Sequence, residues 1–193
     1  MKEKKYRIVL GSQSARRQQL LKGLDIDFEI KTLDNAEETF PADMPAGEVA
    51  PYLSRRKAEA LQPLADDELL ITADTVVVVD GKIYGKPSDK EEAHSMLQTL
   101  SGRMHEVITG VAITSAERSV LFAVSTKVWF THISTEDIDY YIERYRPFDK
   151  AGSYGIQEWI GFVGIERIEG SFYNVMGLPI HRIYRVLKDF GAI

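Results

Sequence analysis

Ala73-Asp74-Thr75-Val76-Val77-Val78-Val79-Asp80-Gly81-Lys82-Ile83-Tyr84-Gly85-Lys86-Pro87 is the stretch whose reading decides the fold. From Leu69 to Val79 the chain is apolar and rich in β-branched residues, with one carboxylate, Asp74, inside the run. A continuous run of this kind suits a strand buried on both faces. A charge inside such a strand costs free energy unless it is paired, hydrated or bound to a metal. Asp80-Gly81 favours a tight hairpin turn, and the return limb ends at Lys86-Pro87. One ribbon therefore fixes an acid and a lysine. The competing reading is a buried Asp that only satisfies backbone amides.

Outward from this ribbon, the chain of 193 residues is long enough for one well-packed core, and no low-complexity linker divides it, so residues 1–193 read as a single domain. No apolar run approaches the ~20 residues of a membrane span. The basic start Met1-Lys2-Glu3-Lys4-Lys5 leads straight into a strand and predicts no secretory signal. The absence of cysteine rules out disulfides and Cys-ligated zinc and fits a reducing cytoplasm. The net charge of -5 argues against a broad nucleic-acid-binding face. His94, His105, His132 and His181 have no zinc spacing.

Tyr6–Leu10 reads as the first strand, followed by Gly11-Ser12-Gln13-Ser14-Ala15-Arg16-Arg17 and a helix from a Ser14 cap to a Gly23 cap. Free amides at a helix start, with two serines and two arginines, suit a phosphate cradle. This is not a P-loop, because the Gly-Lys-Ser/Thr ending is missing. An ordinary capped helix with a solvated Arg pair is the competing reading. Residues 27–33 read as a strand, and Asp34-Asn35-Ala36-Glu37-Glu38-Thr39 as an acidic loop. Such a loop is usually only solvated, and it also offers a carboxylate to magnesium. Residues 48–64 have helical spacing that places Lys57 on an apolar stripe, where it either snorkels or points into a cleft.

Beyond the ribbon, a helix is predicted over 88–100 with Ser88 as cap, two long strands over 105–113 and 119–130, and a helix from Ser134 to about Arg144. Then come a shaped loop over 147–157, a strand over 162–168, and one final helix after Asn174 that ends near Phe190. Early alternation of strands and helices with an inserted hairpin predicts an α/β fold, a mixed, twisted sheet with flanking helices and a central cleft.

Several segments together resemble the Maf family of nucleotide pyrophosphatases. They are residues 10–21, Lys57-Ala58, Ala73-Asp74-Thr75, Gly85-Lys86-Pro87, residues 149–157 and Gly177-Leu178-Pro179, in the family's order across nearly the whole chain. The chain departs from the family where Gly11 and Ser153 stand for the usual Ala, Ala15 for Pro, and Arg146 for a common acid; Ala15 loosens the turn before the arginines. The resemblance implies a fold similar to inosine triphosphate pyrophosphatases and a metal-dependent cut of a nucleoside triphosphate to monophosphate and pyrophosphate. It implies Asp74 as proton acceptor, and Ser12, Arg16, Arg17, Lys57, Thr75, Lys86 and Gln157 as substrate-binding residues. Glu38, with Asp74 shared, is the implied ligand of Mg²⁺ or Mn²⁺. Family members with Arg, Thr and Gln at the positions of Arg16, Thr75 and Gln157 resemble enzymes that act on dTTP and UTP. The resemblance also implies a homodimer. The rival expectation is a nucleotide-binding regulator of cell division and septum formation with no catalysis.

Overall fold

A computed structural model describes residues 6–32 and 39–193. In chain order the elements are β1 (Arg7–Leu10), α1 (Ala15–Lys22), β2 (Glu29–Ile30), α2 (Ala46–Ala60), β3 (Glu68–Val79), β4 (Lys82–Tyr84) and α3 (Lys90–Leu100). There follow β5 (Met104–Thr114), β6 (Ser119–Phe130), α4 (Thr135–Tyr145), α5 (Trp159–Gly164), β7 (Ile165–Glu169), α6 (Phe172–Met176) and α7 (Ile180–Asp189). The strands hydrogen-bond in the order β2-β1-β3-β5-β6-β7, with β4 on β3. β1 runs parallel to β2 and β3, whereas β3–β4 and β6–β7 are antiparallel, so the sheet is mixed and the fold is α/β. Among the described residues no helix is long and apolar enough to cross a membrane.

The chain forms two compact units: residues up to Asp74 with Thr109–Val124 and Gly177–Ile193, and Thr75–Ile108 with Ser125–Met176. In the first unit, Val9, Ala58, Leu61, Leu64, Leu70 and Ala112 form one buried cluster. Gly110 belongs to the same unit. A Cβ there would lie 2.2 Å from the Ala50 carbonyl carbon and the Pro51 nitrogen, so β5 meets the α2 backbone where only glycine fits. In the second unit, Leu97, Leu100, Ile138, Tyr141, Ile142 and Ile160 are fully buried.

The turn at Asp80-Gly81 has φ of +49° and +76°, the two positive values that a type I′ hairpin needs, and Val79 lies opposite Lys82. Ser14 and Ser134 cap their helices as the sequence predicts. Five expectations are corrected. Asp89, not Ser88, caps α3, its Oδ1 accepting from Glu92 N at 2.8 Å, while Ser88 N–H and hydroxyl donate to the Glu92 carboxylate. Of the strand expected over 162–168, residues 162–164 belong to α5 and only the part from Ile165 is strand, because Gly161 lets α5 fold onto Ile156; a Cβ at 161 would lie 1.8 Å from the Ile156 carbonyl oxygen. The final helix is two, α6 and α7, separated by Gly177 at φ +114° and by Pro179, which is the cap residue of α7. The second helix begins at Ala46 and ends at Ala60, and β2 covers only Glu29–Ile30.

In the second unit His105 is 1% exposed, with Nε2 2.7 Å from Tyr154 Oη and the Phe130 ring edge-on. Burial holds its pKa down to about 4 from an ordinary 6.5. The unfolded chain binds this proton near pH 6.5 and the folded one only near 4. The stabilisation is therefore complete above pH 6.5 and is lost as the pH falls towards 4, by on the order of 3 kcal/mol. Thermal unfolding across that window is expected to show the midpoint falling with pH, and His105→Gln to flatten the fall. Equal slopes in both proteins would remove His105 as the cause.

Candidate active site

The buried charge of β3 has a partner. Lys57 Nζ donates to Asp74 Oδ1 in a close ion pair, with the side chains 17% and 9% exposed. The pairing follows from two periodicities within the first unit. Thr72 and Asp74 are two apart on a strand and share a face; Ser54 and Lys57 are three apart on a helix and share a face. Thr72 Oγ1 donates to the Ser54 carbonyl at 2.7 Å, and one step further along the same ladder Lys57 meets Asp74. Lys57 thus points inward rather than snorkelling to the surface. Gly11 leaves room for Thr72, because a Cβ at 11 would stand 2.7 Å from Thr72 Cγ2. Asp74 Oδ2 takes no hydrogen bond from another described residue.

The parallel register sets Leu10 opposite Ile71, and Gly11 N donates to the Ile71 carbonyl at 2.8 Å. The turn that leaves β1 is therefore anchored on β3. Ser14 caps α1 by accepting from Arg17 N at 3.5 Å, and Ser12 Oγ accepts from Ser14 N at 3.3 Å and from Arg17 Nη1 at 3.5 Å. These bonds hold the turn that Ala15 leaves loose. Arg17 Nε donates to the Gly177 carbonyl at 2.8 Å, which gives the Gly177-Leu178-Pro179 motif a role that its sequence did not disclose. Arg16 and Arg17 lie in the first turn of α1, where no acid is present. The helix dipole disfavours cations there, and an anion bound at that end would relieve the conflict.

Lys86, Thr75 and Gln157 belong to the second unit. Lys86 is exposed just beyond β4. Gly152 N donates to the Gly85 carbonyl at 3.0 Å, and at φ +66° Gly152 lies against Val77, where a Cβ would be 2.8 Å from Val77 Cγ2. The loop leading to Gln157 is thus docked on the ribbon that carries Lys86. Gln157 lines a groove of about 470 Å³ with Ile156, Phe162, Ile165 and Phe172. Its Oε1 is enclosed and accepts no hydrogen bond from another described residue. The loop is tied instead through Glu158, which sequence reasoning missed: its carboxylate meets the Tyr141 hydroxyl and Lys150 Nζ. The Asp149-Lys150 pair was the one signal of this network in the sequence.

Glu38 lies outside the described residues. Among the described residues no group of three or more His, Cys, Asp or Glu could hold a metal ion. Asp74 by itself is the right kind of donor, since magnesium takes one or two carboxylate oxygens and completes its shell with water and substrate phosphate.

A mixed α/β sheet that carries a buried acid–lysine pair, beside an arginine-bearing helix start, defines a protein equipped to handle a small polyanion. The chain belongs to the Maf-like protein family, whose model matches residues 7–190. It is 60% identical over 191 residues to the dTTP/UTP pyrophosphatase of Porphyromonas gingivalis, covering 97% of this chain and 96% of that protein. It is 52% identical over 188 residues to the dTTP/UTP pyrophosphatase of Parabacteroides distasonis, covering 97% of each. Among solved structures, a HAM1 protein from Coxiella burnetii matches 95% of this chain and 99% of its own at a TM-score of 0.48 and 15% identity, too slight a likeness to bear on topology.

Proposed function

We propose that this protein is a nucleoside triphosphate pyrophosphatase that hydrolyses dTTP and UTP to the monophosphate and pyrophosphate. The observation that carries the reading is near-full-length identity of 60% and 52% to proteins named for that activity. Asp74, Lys57, Ser12 and the Arg16–Thr75–Gln157 trio are all present.

In this reading a water oxygen bonds to the α-phosphorus, the bond from that phosphorus to the bridging oxygen breaks, and pyrophosphate leaves. Asp74 accepts the water's proton; Lys57, fixed beside it, holds the carboxylate in place and carries positive charge for the phosphates. Ser12, Arg17 and Lys86 bind the triphosphate oxygens. Asp74 and Glu38 would hold Mg²⁺ or Mn²⁺, which would neutralise the leaving charge and make the attacking water more acidic. Arg16, Thr75 and Gln157 select the base. CTP and ATP are expected to be poor substrates, and a methyl at C5 of the pyrimidine is tolerated. The reading implies a cytoplasmic enzyme, and we propose a homodimer, which sedimentation velocity would test.

The deciding experiment is incubation with a nucleotide panel and Mg²⁺ or Mn²⁺, with products identified. Monophosphate and pyrophosphate from dTTP and UTP support the reading; orthophosphate release, or no turnover, overturns it. Lys86→Ala and Arg17→Ala should each weaken triphosphate binding by roughly 1–3 kcal/mol. Unchanged calorimetric affinity in both would count against these two cations.

A further inference from the structure

Among the described residues the Gln157 Oε1 accepts no hydrogen bond, so the aim of the amide is set by its neighbours. Three side chains of the second unit set those neighbours. Tyr141 on α4 is fully buried; its hydroxyl accepts from Gly155 N at 3.0 Å and donates to Glu158 Oε2. Glu158 Oε1 lies 3.1 Å from Lys150 Nζ, which is also 2.8 Å from Asp149 Oδ1, and Lys150 is 7% exposed. Both oxygens of the residue after Gln157 are therefore engaged. Two residues before Gln157, Gly155 is held by its amide and has no space for a side chain, since a Cβ would stand 2.8 Å from Glu158 Cδ and 3.1 Å from Lys150 Cε. Glu158 N donates to the Gly155 carbonyl at 3.0 Å and closes the turn around Gln157. Burial and the adjacent carboxylate raise the pKa of the Tyr141 hydroxyl, so it remains a donor.

We propose that Tyr141, Glu158 and Lys150 are positioning residues that aim the Gln157 amide, and through it set how strongly the protein discriminates among nucleobases. The proposal rests on the reading of Gln157 as the residue that meets the base. A bidentate amide discriminates only while its donor and acceptor stand at fixed places, because a loose amide can swing to suit the wrong base. The phosphates are assigned to other residues, so loosening this turn costs selectivity rather than turnover.

The test is Tyr141→Phe, which keeps the ring and removes the hydroxyl. The readout is the ratio of kcat/KM for the wild type's best base to that for its worst, among UTP, CTP, GTP and ATP. The ratio is expected to fall roughly tenfold, through a higher KM for the best base, with its kcat and the affinity for inorganic tripolyphosphate unchanged. Should Tyr141→Phe lack a cooperative melt, Lys150→Met and Glu158→Gln take its place; Glu158→Gln, which still accepts from Tyr141, should lose less than Glu158→Ala. If the wild type turns over no nucleotide, calorimetric dissociation constants replace kcat/KM. A wild type whose best base is not uracil or thymine corrects the dTTP/UTP reading and leaves this measurement intact. A ratio within twofold of wild type in folded variants overturns the proposal. So do an equal loss for every base and for tripolyphosphate, and a wild type that does not discriminate.

Discussion

Asp74→Asn is expected to lower kcat for dTTP and UTP by on the order of a thousandfold, the range in which a general base is worth removing. The amide is nearly isosteric, but it neither accepts the water's proton nor binds a divalent cation well. The fold should survive. Asn can still accept from Lys57 through its oxygen, and the Lys57 side chain, 17% exposed, keeps some access to water. A loss of about 1–2 kcal/mol is expected in denaturant unfolding, from a charge-assisted bond turned neutral. Nucleotide affinity should stay within a few-fold, because Ser12, Arg17 and Lys86 are untouched. Turnover within a few-fold of wild type would remove Asp74 from the mechanism.

Gln157→Glu should lower kcat/KM for UTP by about a hundredfold and shift preference towards GTP. A Gln amide offers one donor and one acceptor side by side, which complement the O4 acceptor and N3–H donor of uracil and thymine. A carboxylate offers acceptors only. It repels O4, and it suits the N1–H and N2–H₂ donors of guanine. In the fold, Glu158 and Lys150 already form an ion pair next to position 157. A second carboxylate there adds repulsion that only a donor-rich base can relieve. A Gln that only tied down its own loop would bond within it, but among the described residues its Oε1 accepts no hydrogen bond and Glu158 does the tying. If Gln157→Glu keeps the wild-type UTP to GTP preference, Gln157 does not read the base.

Local features were legible wherever a few neighbouring residues decide the backbone. Asp80-Gly81 has one favourable turn because both residues tolerate positive φ, and Ser14 and Ser134 cap helices because their hydroxyls reach an amide three residues on. Where the outcome depended on distant packing, local reading failed. Phe162 and Val163 lie in a short apolar run that periodicity cannot assign, and the close seat of Gly161 on Ile156 makes it helix. Ser88 lost the cap to Asp89 by one residue, because the carboxylate of Asp89 reaches the amide of Glu92 while Glu92 takes both donors of Ser88.

The division is sharpest at Asp74. The sequence by itself determined that a charge lies inside an apolar strand and must find a partner, because burial of an unpaired carboxylate is too costly to persist. It also determined, through motifs spread along the chain, which family's residues are present. Only the tertiary structure decided that the partner is Lys57, seventeen residues away, rather than a group on the same ribbon. Strand and helix periodicities say which side chains share a face. Which face meets which is decided by packing, here by Gly110 admitting the α2 backbone and by Thr72 bonding Ser54 one step before the ion pair.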